Sequence, residues 1–245
     1  MSEFFSNSPA ANPPTANPPV MKSPVSNPPR TARWIELVLL LVLPPLLWIA
    51  SPYKPPLPVV LLMGGAYALW RLLADPTFDR RQLWNARALR SELPTILLLV
   101  IVAALLSAAL LWMTMPQQMF ILLRTRPWLL LLIVIGYPLV SVYPQELVYR
   151  AYFFHRFKPL FPKPWMLIVI SAVLFAYGHI IFWSWIPVAA TLIGGLLFGW
   201  RYHRSRSLAA VSIEHALYGQ LIFTIGFGQY FYVGTAKMMN AVAGN

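Results

Sequence analysis

Seven apolar stretches, at approximately 34–52, 57–74, 95–115, 127–145, 165–184, 186–200 and 208–227, follow one another along this chain with short polar breaks between them. A helix needs ~20 apolar residues to cross a bilayer, and all but the sixth stretch come close to that length. The pattern predicts an all-α, polytopic transmembrane bundle of about seven spans, six to eight, forming one domain over 34–234. Gly64-Gly65 and Gly194-Gly195 fall inside the second and sixth stretches, where small residues let helices approach closely. Pro44-Pro45 predicts a kink in the first span. The segment 76–94, with Arg80, Arg81 and Arg87 beside Trp84, reads as an interfacial helix on the cytosolic face.

Residues 1–33 break the pattern. Repeated Asn-Pro-Pro units, such as Asn12-Pro13-Pro14 and Asn17-Pro18-Pro19, have nothing to bury, so this stretch reads as a disordered cytosolic tail. Residues 235–245 read as a short C-terminal tail.

Composition agrees with the hydropathy: 58% of the 245 residues are hydrophobic and only 11% are charged. A soluble domain carries about 25% charged residues. With no cysteine in the chain, disulfides and thiolate metal sites are excluded. The formal charge of +12 would point to nucleic acid in a soluble protein, but here topology explains it and no nucleic-acid partner is expected. Placing the N-terminus in the cytosol puts 15 of the 19 Lys and Arg residues on the cytosolic side, the bias of a multi-pass inner-membrane protein.

Against this apolar background a few ionisable residues stand out. Glu3, Glu36, Asp75, Asp79 and Glu92 lie in the tail, at span ends or in the 76–94 loop, whereas Glu146 and Glu214 lie in or beside apolar helices. His179 and His215 also fall within spans. An ionisable group at the bilayer centre costs at least ~2.5 kcal/mol on insertion scales, so such a cluster calls for a function. Glu146 and Arg150 are spaced i, i+4, in the order that favours an ion pair. Phe175 sits one helical turn before His179 on the same face. A carboxylate and two imidazoles converging in a dry cavity can activate water by general base catalysis, with or without a metal. Glu214 points to a different side of its helix from His215 and reads as a secondary partner. Pro144 reads as the start of a short helix carrying Glu146, which must dip inward to reach the depth of the histidines.

Gln145-Glu146-Leu147-Val148-Tyr149-Arg150, then Phe175 to His179, then His215 resemble, in order, the three motifs of the CPBP intramembrane proteases, the type II CAAX prenyl endopeptidase or Abi family. The family's pattern is Glu-Glu-x-x-x-Arg, Phe-x-x-x-His and His-x-x-x-Asn or Asp on successive membrane helices, and the resemblance covers roughly 130–228. It implies hydrolysis of a peptide bond in a membrane-associated, in some members prenylated, substrate. Glu146, His179 and His215 would carry the reaction, and the same three residues would be the ligands if a divalent metal such as zinc takes part. Gln145, Arg150, Phe175, Gln220 and Glu214 would support them. It also implies a location in a bacterial inner membrane.

Two positions depart from the pattern. Gln145 replaces the family's first glutamate, and an amide cannot accept the proton of an attacking water. Gly219 stands where an Asn or Asp would help hold an oxyanion or metal, with Gln220 one residue and ~100° of helix away. Hydrolysis through Glu146 competes with a catalytically degenerate relative acting in binding, immunity or maturation. A proton-coupled transporter comes third, because the polar sites are confined to the last third of the chain and no internal repeat accompanies them.

Overall fold

The computed structural model describes residues 28–231. The C-terminal tail and most of the Pro-rich tail read from the sequence therefore lie outside the described residues. Among the described residues, six helices are long and apolar enough to cross a membrane. They are α1 (Arg30–Ala50), α2 (Leu57–Ala74), α3 (Ala86–Thr114), α5 (Pro127–Arg156), α6 (Pro164–Gly178) and α8 (Leu208–Ile225). A short α4 (Ile121–Thr125) precedes α5, and α7 (Trp185–Ser205) joins α6 to α8. No strand occurs among the described residues. The chain is an integral, all-α membrane protein.

Three boundaries differ from those expected. No separate interfacial helix forms over 76–94: Asp79 caps a single 3₁₀ turn at Arg80–Leu83, and Asn85 then caps α3, which runs unbroken to Thr114. The sixth apolar stretch extends to Ser205, so Arg201 and Arg204 are helical rather than in a loop. Pro144 does not begin a short helix; it lies inside the continuous α5. The wide π-type turn at Pro138–Val142 precedes it, and a second follows at Leu147–Tyr152. Such turns accommodate a proline's missing donor and ring inside a helix. A π-type turn at Val38–Val42 likewise precedes Pro44-Pro45 in α1.

These wide turns sit where helices meet most closely. α2 packs along the middle of α5; a Cβ on Gly65 would lie 2.8 Å from the Cα of Pro144, so only glycine permits this approach. α6 and α7 form the most extensive helix pair, and Gly195 performs the same service there against Ala172. Tyr177 of α6 donates to the Val42 carbonyl at 3.0 Å, tying α6 to the π-type turn of α1. α8 packs against α3, α7 and the central part of α5.

The core gathers aromatic side chains from α5, α6 and α7, including Tyr152, Phe153, Phe154, Phe157, Phe175 and Tyr202. Much of the apolar surface points outward instead. Leu97, Leu98, Ile101, Leu105, Leu106 and Leu110 leave one side of α3 exposed, as a lipid-facing helix requires.

Candidate functional site

The centre of α5 carries Glu146 and Arg150, both fully buried. Arg150 Nε stands 3.3 Å from Glu146 Oε2, an ion pair without hydrogen-bond geometry. Its Nη1 donates to Ser171 Oγ at 2.7 Å, and Ser171 in turn donates to the Tyr149 carbonyl at 2.7 Å. The guanidinium also faces the rings of Phe175 and Phe198, at 5.1 and 5.9 Å from their centroids. Cation–π contact and two neutral acceptors, Ser171 Oγ and the Tyr149 carbonyl at 3.3 Å, thus supplement the carboxylate in holding a cation away from water.

Glu146 Oε1 meets His215 Nδ1 at 2.8 Å. A carboxylate only accepts, so the hydrogen lies on Nδ1 and His215 donates. For a neutral ring this leaves a lone pair on Nε2, which stands 3.2 Å from the Tyr137 hydroxyl. Phe198 stacks on the imidazole at 4.9 Å with an interplanar angle of 21°, and Phe175 meets it edge-on at 5.5 Å. The site is a chain of contacts running Arg150, Glu146, His215, Tyr137, clamped between two phenylalanines.

Phe175 also connects His179 to this chain. Its ring lies 4.7 Å from the His179 imidazole, whose Nδ1 bonds the Phe175 carbonyl at 2.7 Å, leaving Nε2 free of that contact. His179 closes α6 at the start of the 3₁₀ turn His179–Phe182. The expected mismatch in depth between Glu146 and His215 does not arise, since the two are hydrogen-bonded. Because α5 continues past Pro144, Glu146 lies in the interior of a long helix, level with His215 on α8.

The remaining sequence candidates are placed elsewhere. Gln145 donates to Ser141 Oγ at 2.8 Å, one turn back on α5. Gln220 donates to the Val134 carbonyl at 3.0 Å, so its amide is engaged with backbone rather than with His215. Glu214 is fully buried and pairs with Arg201, which also binds Glu92; Arg204 binds Glu92 as well. This second cluster pins α3, α7 and α8 together. Its acids Glu92 and Glu214 balance its two arginines in charge, as a buried ion network must.

A metal does not fit the side chains as they stand. Among the described residues no group of three His, Cys, Asp or Glu converges as a metal site. Both nitrogens of His215 already face protein partners.

Sequence reasoning missed Tyr137, Ser171 and Phe198. Ser171 is the lone hydroxyl in the apolar run of α6 before Tyr177, which is a usable signal. Tyr137 and Phe198 look like ordinary aromatic residues of a span and carry none. It also placed Glu36 and Glu92 at a span end and in a loop. Glu36 instead joins α1 to α2 and α5 through Arg71, Arg156 and Tyr152.

Fold and site together define a polytopic helical membrane protein with a buried polar centre built from α5, α6, α7 and α8. Residues 126–220 match the model of the Rce1-like family, described as type II CAAX prenyl endopeptidase. That stretch holds every residue of the site, and over it the chain is similar to this family of CAAX-type prenyl endopeptidases. No individual curated protein and no solved structure matches the chain.

Proposed function

We propose that the protein is an intramembrane endopeptidase that hydrolyses a peptide bond of a membrane-associated substrate, in the manner of proteases acting on C-terminally lipidated proteins. The Glu146–His215 hydrogen bond carries this reading. A carboxylate that fixes an imidazole by its Nδ1–H leaves Nε2 as the basic nitrogen and stabilises the imidazolium formed when it takes a proton. In this arrangement His215 is the general base and acts through the Tyr137 hydroxyl, which takes a proton from water as it passes its own to Nε2; Glu146 orients the imidazole, and Arg150 supplies the counter-charge that a buried carboxylate needs. His179, across the Phe175 ring, offers Nε2 as a donor or acceptor toward the scissile group. The protein would sit in a bacterial inner membrane with its N-terminus in the cytosol.

One observation favours a second reading, a non-hydrolytic relative that binds a membrane partner. Glu146 has 0% of its surface exposed and both of its oxygens face protein groups. An attacking water has no place beside this carboxylate, and Gln145 offers none in its stead. The hydrolytic reading answers this by giving the base role to His215 rather than to Glu146.

The test is cleavage of a library of membrane peptides and prenylated peptides in liposomes. Wild type is compared with Glu146→Ala, His179→Ala and His215→Ala. Hydrolysis by wild type that all three variants lose supports the protease. Wild type that binds a peptide of the library without cutting it, while Gln145→Glu cuts it, establishes the degenerate relative instead.

A further inference from the structure

Gly219 leaves the third motif without its polar side chain, and the structure contains what fills the space. A Cβ built on Gly219 would lie 2.6 Å from both the Cζ and the hydroxyl oxygen of Tyr137, well inside contact distance. The Tyr137 ring, from the first half of α5, therefore occupies the volume that any side chain at 219 would enter. Its hydroxyl arrives 3.2 Å from His215 Nε2, one helical turn before position 219. Phe223, one turn further along α8, holds the ring edge-on at 5.8 Å.

The geometry points to Tyr137 as the residue that takes the place of the missing side chain at 219 and holds the His215 imidazole. With Nδ1 donating to Glu146, the only role open to Nε2 of the neutral ring is acceptor, so the Tyr137 hydroxyl donates to it. Two directed contacts on opposite edges then fix the imidazole in one tautomer and one orientation, while Phe198 and Phe175 bound its faces. Tyr137 and Gly219 are in this respect a single unit. An asparagine at 219 and a tyrosine at 137 exclude one another, and the tyrosine needs a glycine opposite. The effect of Tyr137 on turnover rests on the hydrolytic role proposed above; its effect on the imidazole does not.

The test is nitrogen NMR of histidine-labelled protein in micelles, where the chain offers only four histidines to assign. In wild type, His215 should be neutral with its proton on Nδ1, and Tyr137→Phe should shift the Nε2 resonance toward that of an unbonded imine nitrogen. A proton on Nε2 in wild type, or an Nε2 resonance unmoved by Tyr137→Phe, overturns the assignment whether or not the protein cleaves anything. The shared volume is tested by exchange. Gly219→Asn alone should lower the melting temperature and disturb the His215 signals, whereas Tyr137→Ala/Gly219→Asn should return Nε2 to its bonded position. A Gly219→Asn protein with unchanged signals and melting temperature refutes the exchange. If wild type cleaves a substrate, Tyr137→Phe should lower kcat by roughly tenfold or more with KM little changed, at least the scale of one lost hydrogen bond. Unchanged kcat in that variant removes its role in turnover. Absence of any cleavage by wild type counts against the hydrolytic reading alone, since the nitrogen shifts still decide the contact.

Discussion

Replacing Arg150 by methionine should destabilise the fold by ~3–5 kcal/mol, the usual cost of leaving one member of a buried ion pair alone. At 3.3 Å the attraction between Arg150 and Glu146 is roughly 5 kcal/mol in a medium of effective dielectric constant about 20. The charged hydrogen bond to Ser171 adds about 1.5–3 kcal/mol. Methionine recovers part of this by filling the space against Phe175 and Phe198. It cannot serve Glu146 Oε2, which has no other partner nearby. Removing both charges, in Glu146→Leu/Arg150→Met, should cost less than the single change. No buried charge then remains in this site, and the loss reduces mainly to the unpaired His215 Nδ1–H, about 1–3 kcal/mol. Equilibrium unfolding of the detergent-solubilised protein with increasing sodium dodecyl sulfate measures both. A single variant losing under about 1 kcal/mol, or a double variant less stable than the single, refutes the view that the pair is coupled and dry. The comparison also guards the cleavage assay, because Glu146→Ala strands a buried guanidinium and its inactivity must be separated from unfolding.

Other outcomes follow from the same geometry. Gln145→Glu should keep the fold, because a carboxylate can accept from the Ser141 hydroxyl that now accepts from the amide, and it should raise the cleavage rate against any substrate found. Treatment with a chelator should leave that rate unchanged, since His215 has both nitrogens committed to Glu146 and Tyr137; loss of activity restored by zinc would overturn this. Asp75, just beyond α2, gives a pH dependence. Burial pushes its carboxyl up, but hydrogen bonds from the Thr77 hydroxyl, the His155 ring and the Thr77 N–H outweigh that and bring it down to about 2. With the unfolded value at ~3.9, its contribution is fully present above that pH and is lost as pH falls through about 2. Thermal melts in detergent should show this acid arm in wild type and not in Asp75→Asn.

Much of the site was legible in the sequence because the membrane makes polar residues conspicuous. Glu146, Arg150, His179 and His215 stand out wherever a span is expected, and the i, i+4 spacing of the first two predicts the ion pair that forms. The edge-on contact of Phe175 with His179 followed from the same helical periodicity. Other parts were hidden. Glu92, Arg201 and Arg204 read as cytosolic loop charges, since local hydropathy cannot show that two acids and two arginines from three helices neutralise one another. Helical continuity was misread at Pro144 because a proline in sequence gives no sign of the wide turn upstream that accommodates it.

The sequence by itself determined the class of protein, most of its helical spans and which ionisable residues lie within them, because hydropathy and charge act over one helix at a time. Which of those residues meet was decided only by tertiary structure. Glu146 reaches His215 across 69 positions of chain because α2 can close onto Pro144 at Gly65 and α8 can lie against α5. The empty place at Gly219 looked like a lost function in one dimension. In three dimensions it is the space in which the ring of Tyr137 stands, and that correspondence depends on how two helices pack, which no single stretch of sequence records.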